Sequence, residues 1–430
     1  MIHFYLNGQY KQLTDLNPNT TVLEYLRLHE RQTDTKEGCG SGDCGACTVM
    51  AQRLPSSGED SSDLPFYTLN ACITLLSLMD GHHIMTSAYI ADNPANHPDR
   101  ALLHPAQQAM VECHGSQCGF CTPGFVMTLA STYENHRLQV AKGTITDDLS
   151  YDDIVASIGG NLCRCTGYRP IIDAGLAMSE IGRQRDADQT IAKDLSISLA
   201  TDAMVNSRQA ASSATGTIAP ALTQGSRKLF IPQSVAELNQ VLAAHPKATI
   251  WAGGTDLGLS VTQHLVDHDV IVQLSAIDEL KSWSLQDLSQ HADAQSKGDD
   301  EVKSASSVVQ SLVLGAGMSY NSMLPILEQH FPEFANLFER IASPQIRNMG
   351  TIGGNVANAS PIGDLPPILL ALDADIHIRH CAAIDDADNS NTNNDSNQAS
   401  CIDEIIPLSE FFLDYKKTKL RAGSYVVSLH

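Results

Sequence analysis

Residues 38–49 read GCGSGDCGACTV and place three cysteines and four glycines within the stretch Gly38 to Cys47. The spacing is Cys39-x4-Cys44-x2-Cys47, with Cys72 further along, which is the plant-type pattern for a [2Fe–2S] cluster. Four soft thiolates are the donor set such clusters require. Three donors on one loop force the backbone to wrap closely around them. Gly38, Gly40, Gly42 and Gly45 permit positive φ and let backbone N–H groups approach the sulfurs. A structural zinc loop is the alternative, although zinc sites more often use C-x2-C pairs.

A second set is Cys118-x2-Cys121 with Cys163-x-Cys165. Residues two apart sit about 200° apart around a helix, so the stretch NLCRCTG must be a loop between helices. The stretch SQCGFCTPG likewise precedes a helix start. Two helix-flanking loops then offer two thiolates each to one site, for which zinc is nearly as good a candidate on spacing alone. Cys113 is one thiol too many and is read as packing.

The chain that must position these groups has 430 residues, a formal charge of −22 and 43% apolar residues. That length predicts two to four domains, and the apolar fraction is enough for packed cores. The negative charge argues against nucleic acid and anionic membrane surfaces as partners. No apolar run reaches the roughly 18 residues of a membrane span, and the N-terminus lacks the pattern of a signal peptide. The expected location is the cytosol, where eleven cysteines should not form a disulfide framework. Nine lie between Cys39 and Cys165, and only Cys381 and Cys401 lie beyond.

The stretch IHFYLNGQY alternates around Asn7-Gly8, the strongest short hairpin signal. TVLEYLRLH has helical spacing and CTVMAQRL reads as a strand, giving a small sheet-and-helix domain over residues 1–88. From about Pro94 to Gly182 the pattern is helical. Thr122 is expected as an N-cap with Pro123 at the first helical position, Ser150 as a second cap, and Gly159-Gly160 as a stop. YRPIIDAGLAMSEI reads as a further helix. Residues 183–226 are small and polar and read as a linker. An α+β domain is expected over 227–430, interrupted by two polar inserts, QHADAQSKGDDEVKSAS and DDADNSNTNNDSNQAS, expected to be disordered.

Within that last region, IWAGGTDLGLSV is an apolar strand ending in Gly253-Gly254-Thr255-Asp256, by itself a weak signal that also fits a plain tight turn. IRNMGTIGGNVANASPIGDLPPILLALDADI is more specific. Thr351, Gly353, Gly354 and Asn355 offer a backbone nest for phosphate oxygens, without the Rossmann fingerprint.

Taken together, GCGSGDCGACTV, NACI, HGSQCGFCTPGF and GGNLCRCTGYRPI resemble, in order, the iron–sulfur region of the xanthine oxidase family of molybdenum hydroxylases. The resemblance implies two [2Fe–2S] clusters. Cys39, Cys44, Cys47 and Cys72 would hold one in a ferredoxin-like β-grasp domain. Cys118, Cys121, Cys163 and Cys165 would hold the other in a four-helix domain. Gln117 matches a glutamine that contacts the pterin of a partner's molybdenum cofactor. TSAYIADN departs from the family pattern but touches no ligand. The glycine-rich loops resemble the family's FAD-binding domain of the PCMH type. Ile250, Trp251, Ala252, Gly253, Gly254, Thr255, Asp256 and Leu257 match its first loop. Ile341, Ala342, Ile346, Thr351, Gly353, Gly354, Asn355, Ala357 and Asp364 match the flavin-lining second stretch. Ser424 stands where the family usually has an acidic residue.

The fold class so implied is α+β multidomain, lacking the C-terminal subdomain that usually follows the FAD-binding domain. Clusters and flavin without a molybdenum region are the layout of the small subunit of two-chain bacterial xanthine dehydrogenases. The resemblance thus implies a large molybdopterin-binding partner, two copies of each chain, and NAD as acceptor, with no general base or nucleophile on this chain. The same relay serving an aldehyde or another N-heterocycle, and a flavin-deficient iron–sulfur redox protein, are the alternatives.

Overall fold

The computed structural model describes residues 1–56, 58–91, 102–187, 195, 218–287, 310–338, 340–382 and 400–430. Both polar inserts fall almost wholly outside these residues, as do most of the 183–226 linker and the expected start of the helical region. The chain divides into two compact units. The first comprises Met1–Phe230, Gly253–Ile271 and Ala342–Met349; the second comprises Ile231–Ala252, Val272–Ile341 and Gly350–His430. Among the described residues, no helix is long and apolar enough to cross a membrane.

The first unit opens with a hairpin of β1 (Ile2–Leu6) and β2 (Gln9–Leu13). Asn7 and Gly8 turn it with φ of 51° and 77°, the twist that flanking strands favour. The expected helix after Thr21 forms only as Val22–Glu24 and then widens into a π-helical turn, Tyr25–His29. The Glu30 N–H bonds Tyr25 O, and Tyr25 lies edge-on to Phe4. With β3 (Thr48–Arg53), β4 (Phe66–Asn70) and β5 (His82–Met85), the strands form one sheet in the order β2-β1-β5-β3-β4. Only β1 and β5 run parallel within it. The edge strand β4 is covered by side-chain amides. Asn135 accepts from Phe66 N and donates to Phe66 O, and Asn348 donates to Thr68 O, which satisfies polar groups an open edge would leave unpaired.

Four helices follow: α1 (Pro105–Glu112), α2 (Thr122–Ala141), α3 (Tyr151–Ile158) and α4 (Arg169–Ala187). Cys121, not Thr122, precedes α2, and Thr122 is its first helical residue. Ser150 caps α3 in a capping box with Asp153, and Gly159 ends it. α4 runs on to Ala187, beyond the boundary expected at Gly182, and past that point it is the buried Arg185, donating to Gln108 Oε1 of α1, that ties the last turn to the bundle. Phe125, Leu129, Ile154 and Ile171 share one core with Met50 and Met85 of the sheet, so the two cysteine-bearing regions pack as one body. Within it His104 caps α1 through Nδ1 and meets Glu134 through Nε2 at 3.0 Å.

The second unit is built on a sheet of β6 (Trp283–Asp287), β7 (Gln310–Gly315), β8 (Asp375–Ala382), β9 (Ser400–Pro407) and β10 (Ser424–Leu429), in the order β6-β7-β10-β8-β9. Met323, Phe338, Ile352, Ile376 and Phe411 form its core. Val235–Ala244 is the helix expected from SVAELNQVLAAH, capped by Ser234. Cys381 and Cys401 face each other across β8 and β9 and form a disulfide. The expectation against a disulfide framework is corrected at this one pair. Their direct opposition in the antiparallel ladder, with Cα atoms 4.3 Å apart, puts the thiols within bonding reach. Ser424, at the start of β10, bonds His380 Nδ1 at 2.6 Å.

Candidate functional site

All eight cysteines singled out from spacing lie in the first unit, and they come together in pairs. Cys47 Sγ is 3.3 Å from Cys72 Sγ, both buried. Cys39 and Cys44 interact directly, and both the Ser41 and Cys44 N–H groups point at Cys39 Sγ at 3.4 Å. In the helical region Cys118 pairs with Cys165, and Cys121 with Cys163. Cys113 stays out of both sets and packs on the helical core from the end of α1.

The loops achieve this through their glycines. Gly40, Gly42 and Gly45 have φ of 65°, 81° and 67°. At Gly45 the space is closed as well. A Cβ there would stand 2.2 Å from Gly160 O and 2.9 Å from Asn161 Cα, so the first cysteine loop lies directly on the second. Asn70 Nδ2 donates to Gly42 O and ties the loop to the strand end that leads to Cys72. Across the two loops, Leu162 N–H donates to Cys44 O at 2.9 Å. Cys44 of the first set is thus one hydrogen bond and one residue away from Cys163 of the second.

The thiol environments are uneven. Burial pushes the Cys39 thiol up, but the hydrogen bonds from Ser41 and Cys44 overcome this and bring it down to about 7. Its partner Cys44 is raised by burial and by Cys39. The Cys72 thiol is held far above its usual range by the bond with Cys47 and by burial. Burial and Cys163 push Cys121 up to about 12. Burial also raises Cys163, and the Thr166 hydrogen bonds outweigh it. In each pair one thiol is pushed up, Cys44 and Cys121 by burial and then the neighbouring thiol, Cys72 and Cys165 first by the neighbouring thiol, as expected of ligands that lose their protons on metal binding. Four thiols in each set, with N–H groups aimed at a sulfur, are the donor set that a [2Fe–2S] group would need, and the four cysteines of each set would hold it.

Around the second set the surface is open. Gln117, Cys118, Phe120, Leu162 and Cys165 are exposed, and nothing lies within 4 Å of a Cβ built on Gly119 or Gly167. The first set is covered. The Gln263 amide donates to Cys39 O and Gly40 O, and Gly258 lies against Ile73.

The residues singled out for flavin fall into both units. In the second, Ile250 and Trp251 end the strand Thr249–Trp251, with Trp251 buried and Ala252 half-buried. Thr351 caps the helix Ile352–Asn358 by accepting from Gly354 N–H at 3.1 Å. Gly353 N–H bonds Ala316 O, where any side chain would collide with Ala316. Asn355 Oδ1 is buried without a hydrogen-bond partner among the described residues. Ile341 and Ala357 join the core, and Asp364 precedes the helix Leu365–Ala371, exposed. In the first unit, Gly253 and Gly254 lead through Thr255, Asp256 and Leu257 into the helix Gly258–Thr262. Gly254 has φ of 70° and its carbonyl accepts from Gly258 N–H. Ala342 also has positive φ, 58°, and Ile346 lies in the helix Pro344–Met349. The backbone nest expected from Thr351, Gly353, Gly354 and Asn355 is not open: Gly353 and Gly354 lie in the first turn of the helix, and the three N–H groups go to Ala316 O, Thr351 Oγ1 and Thr351 O. This leaves the buried Asn355 Oδ1 as an acceptor that would fit a hydroxyl or N–H of a dinucleotide.

Spacing missed two residues that the structure makes central to the first unit. Asn161 and Gln345 are both buried, and Gln345 Nε2 donates to Asn161 Oδ1 at 3.0 Å. Asn161 lies in GGNLCRC, so its place beside the ligands was visible in sequence. Nothing local marks Gln345.

Three family models match the chain: the 2Fe-2S iron-sulfur cluster binding domain over residues 4–77, a [2Fe-2S] binding domain over 92–176, and the FAD binding domain in molybdopterin dehydrogenase over 221–294 and 300–386. The chain is 28% identical over 501 residues to xanthine dehydrogenase of Blastobotrys adeninivorans, covering 99% of this chain and 32% of that protein. It is 30% identical over 406 residues to aldehyde oxidase of Homo sapiens, covering 85% and 27%. Among solved structures, quinoline 2-oxidoreductase from Pseudomonas putida 86 is 29% identical, over 43% of this chain and 95% of that one, with a TM-score of 0.32. The chain spans about a third of the length of the curated relatives it matches. Two [2Fe–2S]-binding domains followed by an FAD-binding domain are the domain set of the molybdenum hydroxylases, and they support a place for this chain in that family.

Proposed function

We propose that this chain is the electron-transfer part of a molybdenum-containing xanthine dehydrogenase. Electrons from a molybdenum centre on a large partner chain would pass through two [2Fe–2S] groups to FAD and then NAD. The observation that carries this reading is the seating of the two cysteine loops on each other, with Leu162 N–H bonded to Cys44 O between loops that each bring thiols together in pairs. We assign Cys39, Cys44, Cys47 and Cys72 to the covered cluster, and Cys118, Cys121, Cys163 and Cys165 to the exposed one. Gln117 and the exposed Phe120 and Leu162 are where the partner would dock. Two copies of each chain are proposed for the assembly, and the cytosol for its location. We place the ferredoxin-like domain over residues 1–88, the helical domain through Ala187 and the FAD-binding domain from about residue 221.

When bound, the clusters supply one-electron and the flavin two-electron chemistry. This chain's own residues hold and tune them. Ser41 and Cys44 N–H groups stabilise negative charge at Cys39 Sγ. Gly42 and Gly45 bring backbone close to the ligands. The Gly353, Gly354 and Asn355 N–H groups are already spent on Ala316 O, Thr351 Oγ1 and Thr351 O, so in the second unit Asn355 Oδ1 would accept from a hydroxyl or N–H of the dinucleotide rather than meet its phosphates. Gly253, Gly254 and Thr255 are proposed as flavin-contacting residues of the first unit. We propose no role for the described residues in activating a water or taking a proton from a purine.

Iron, labile sulfide and flavin analysis of the purified chain tests the reading, with four irons and four sulfides expected per chain. Zinc without sulfide would overturn it. Co-expression with a molybdenum-binding chain, followed by xanthine-dependent reduction of NAD, tests substrate and acceptor. A second reading, the same relay for an aldehyde or N-heterocycle, is favoured by the comparable identity to aldehyde oxidases, and a substrate panel on the assembled complex separates the two.

A further inference from the structure

Asn161 is 2% exposed, and its amide joins the first cysteine loop, β3, α2 and the stretch Ala342–Met349. Nδ2 donates to Gly45 O at 3.0 Å, between ligands Cys44 and Cys47, and to Oγ1 of Thr48 at 3.2 Å. Oδ1 accepts from Thr128 Oγ1 at 2.8 Å, on the helix that begins just after Cys121. It also accepts from Gln345 Nε2 at 3.0 Å. Asn161 itself lies two residues before Cys163. Both donors and both acceptor directions of the amide are therefore in use.

Gln345 is 1% exposed and comes from Ala342–Met349, the stretch that also holds two of the proposed flavin-lining residues. Its Oε1 has no hydrogen-bond partner among the described residues. It lies so close over Gly160 that a Cβ there would stand 1.9 Å from it. A buried amide half-satisfied in this way is costly, and packing alone would favour an apolar side chain of the same length. The amide is retained where its one nitrogen reaches Asn161 and lies near Thr48 and Thr128 together.

We propose that Asn161 and Gln345 are positioning residues of the electron relay, an amide pair that sets the spacing of the two cysteine loops and keys it to the seating of Ala342–Met349. This rests on the relay reading above. The backbone bond from Leu162 to Cys44 does not need either side chain. Losing an amide should therefore shift the loops rather than separate them.

The test uses the full chain with its clusters and flavin. Iron and sulfide content, melting temperature and low-temperature electron paramagnetic resonance of the fully reduced protein are compared for wild type, Asn161→Ala and Gln345→Met. The splitting between two reduced clusters depends on their separation and relative orientation. Outer-sphere partners of metal ligands are worth on the order of ten- to a hundredfold in metal affinity, and Asn161→Ala should weaken cluster retention by that factor and change the splitting. Gln345→Met keeps the volume, removes the donor, and should keep its iron while moving the splitting in the same direction by less. If Asn161→Ala does not fold, Gln345→Met decides. An unchanged splitting in Gln345→Met, even with a lowered melting temperature, overturns the inference and leaves ordinary packing. Wild-type protein without labile sulfide overturns the relay reading, and this inference with it.

Discussion

Replacing Gly45 by Ala should cost far more than the same change at Gly143, and the difference measures how firmly the two cysteine loops are pressed together. Both glycines are left-handed, with φ of 67° and 70°. Each change therefore carries the left-handed strain of an L-residue, about 1–2 kcal/mol. At Gly143 that is all, because nothing lies within 4 Å of the added carbon. At Gly45 the carbon would stand 2.2 Å from Gly160 O and 2.7 Å from Asn161 Nδ2. Neither can yield without moving the second loop, which adds an overpacking cost of about 1–3 kcal/mol. The total at Gly45 is roughly 2–5 kcal/mol. Urea unfolding followed by visible absorption gives both numbers, and iron analysis reports cluster retention. Gly143→Ala should keep all its iron, whereas Gly45→Ala should lose iron from both sites, since both loops must move. Equal costs for the two substitutions, or a full complement of iron in Gly45→Ala, would refute the argument that the loops bear on each other.

Three further outcomes are expected. Cys44→Ser should remove only the cluster signal of the covered site and Cys163→Ser only that of the exposed one, while Cys113→Ser keeps both, as read by electron paramagnetic resonance. Burial raises the Glu134 carboxyl, but the His104 hydrogen bond and Arg137 outweigh it and hold it below the ordinary glutamate range. Its contribution is therefore complete above about pH 4.3 and lost as pH falls below that value. Glu134→Gln should cost about 1.5–3 kcal/mol at pH 7, the worth of hydrogen bonds to a charged group, with the gap to wild type narrowing below pH 4.3 in urea titrations; a constant gap would contradict the assignment. Finally, the Cys381–Cys401 crosslink closes a segment of sequence separation 20, so Cys401→Ser should cost about 3 kcal/mol without reductant and nothing in its presence.

The sequence alone carried the chemistry, because ligand spacing is local. Cys39, Cys44 and Cys47 sit on one loop, and the gaps among them restrict what the loop can bind. The Asn7-Gly8 turn, the Ser150 cap and the Gly159 stop were legible for the same reason, each depending on a few neighbouring residues. Local signals were less sure where packing competes with them. The turn after Glu24 widened into a π-helix, and the last helix of the helical region ran on to Ala187, where Arg185 is buried against Gln108 of α1. Only the tertiary structure decided which thiols pair, that Leu162 bonds Cys44, and that Gln345 reaches Asn161 across 184 residues of chain. It also decided that Cys381 meets Cys401, a consequence of strand register set by pairing along the whole of β8 and β9. Such contacts leave no periodicity and no spacing rule in the sequence. They follow from the folding of the sheet, the helices and two later stretches of chain into one body, where a polar residue such as Gln345 is buried because its partners are already there.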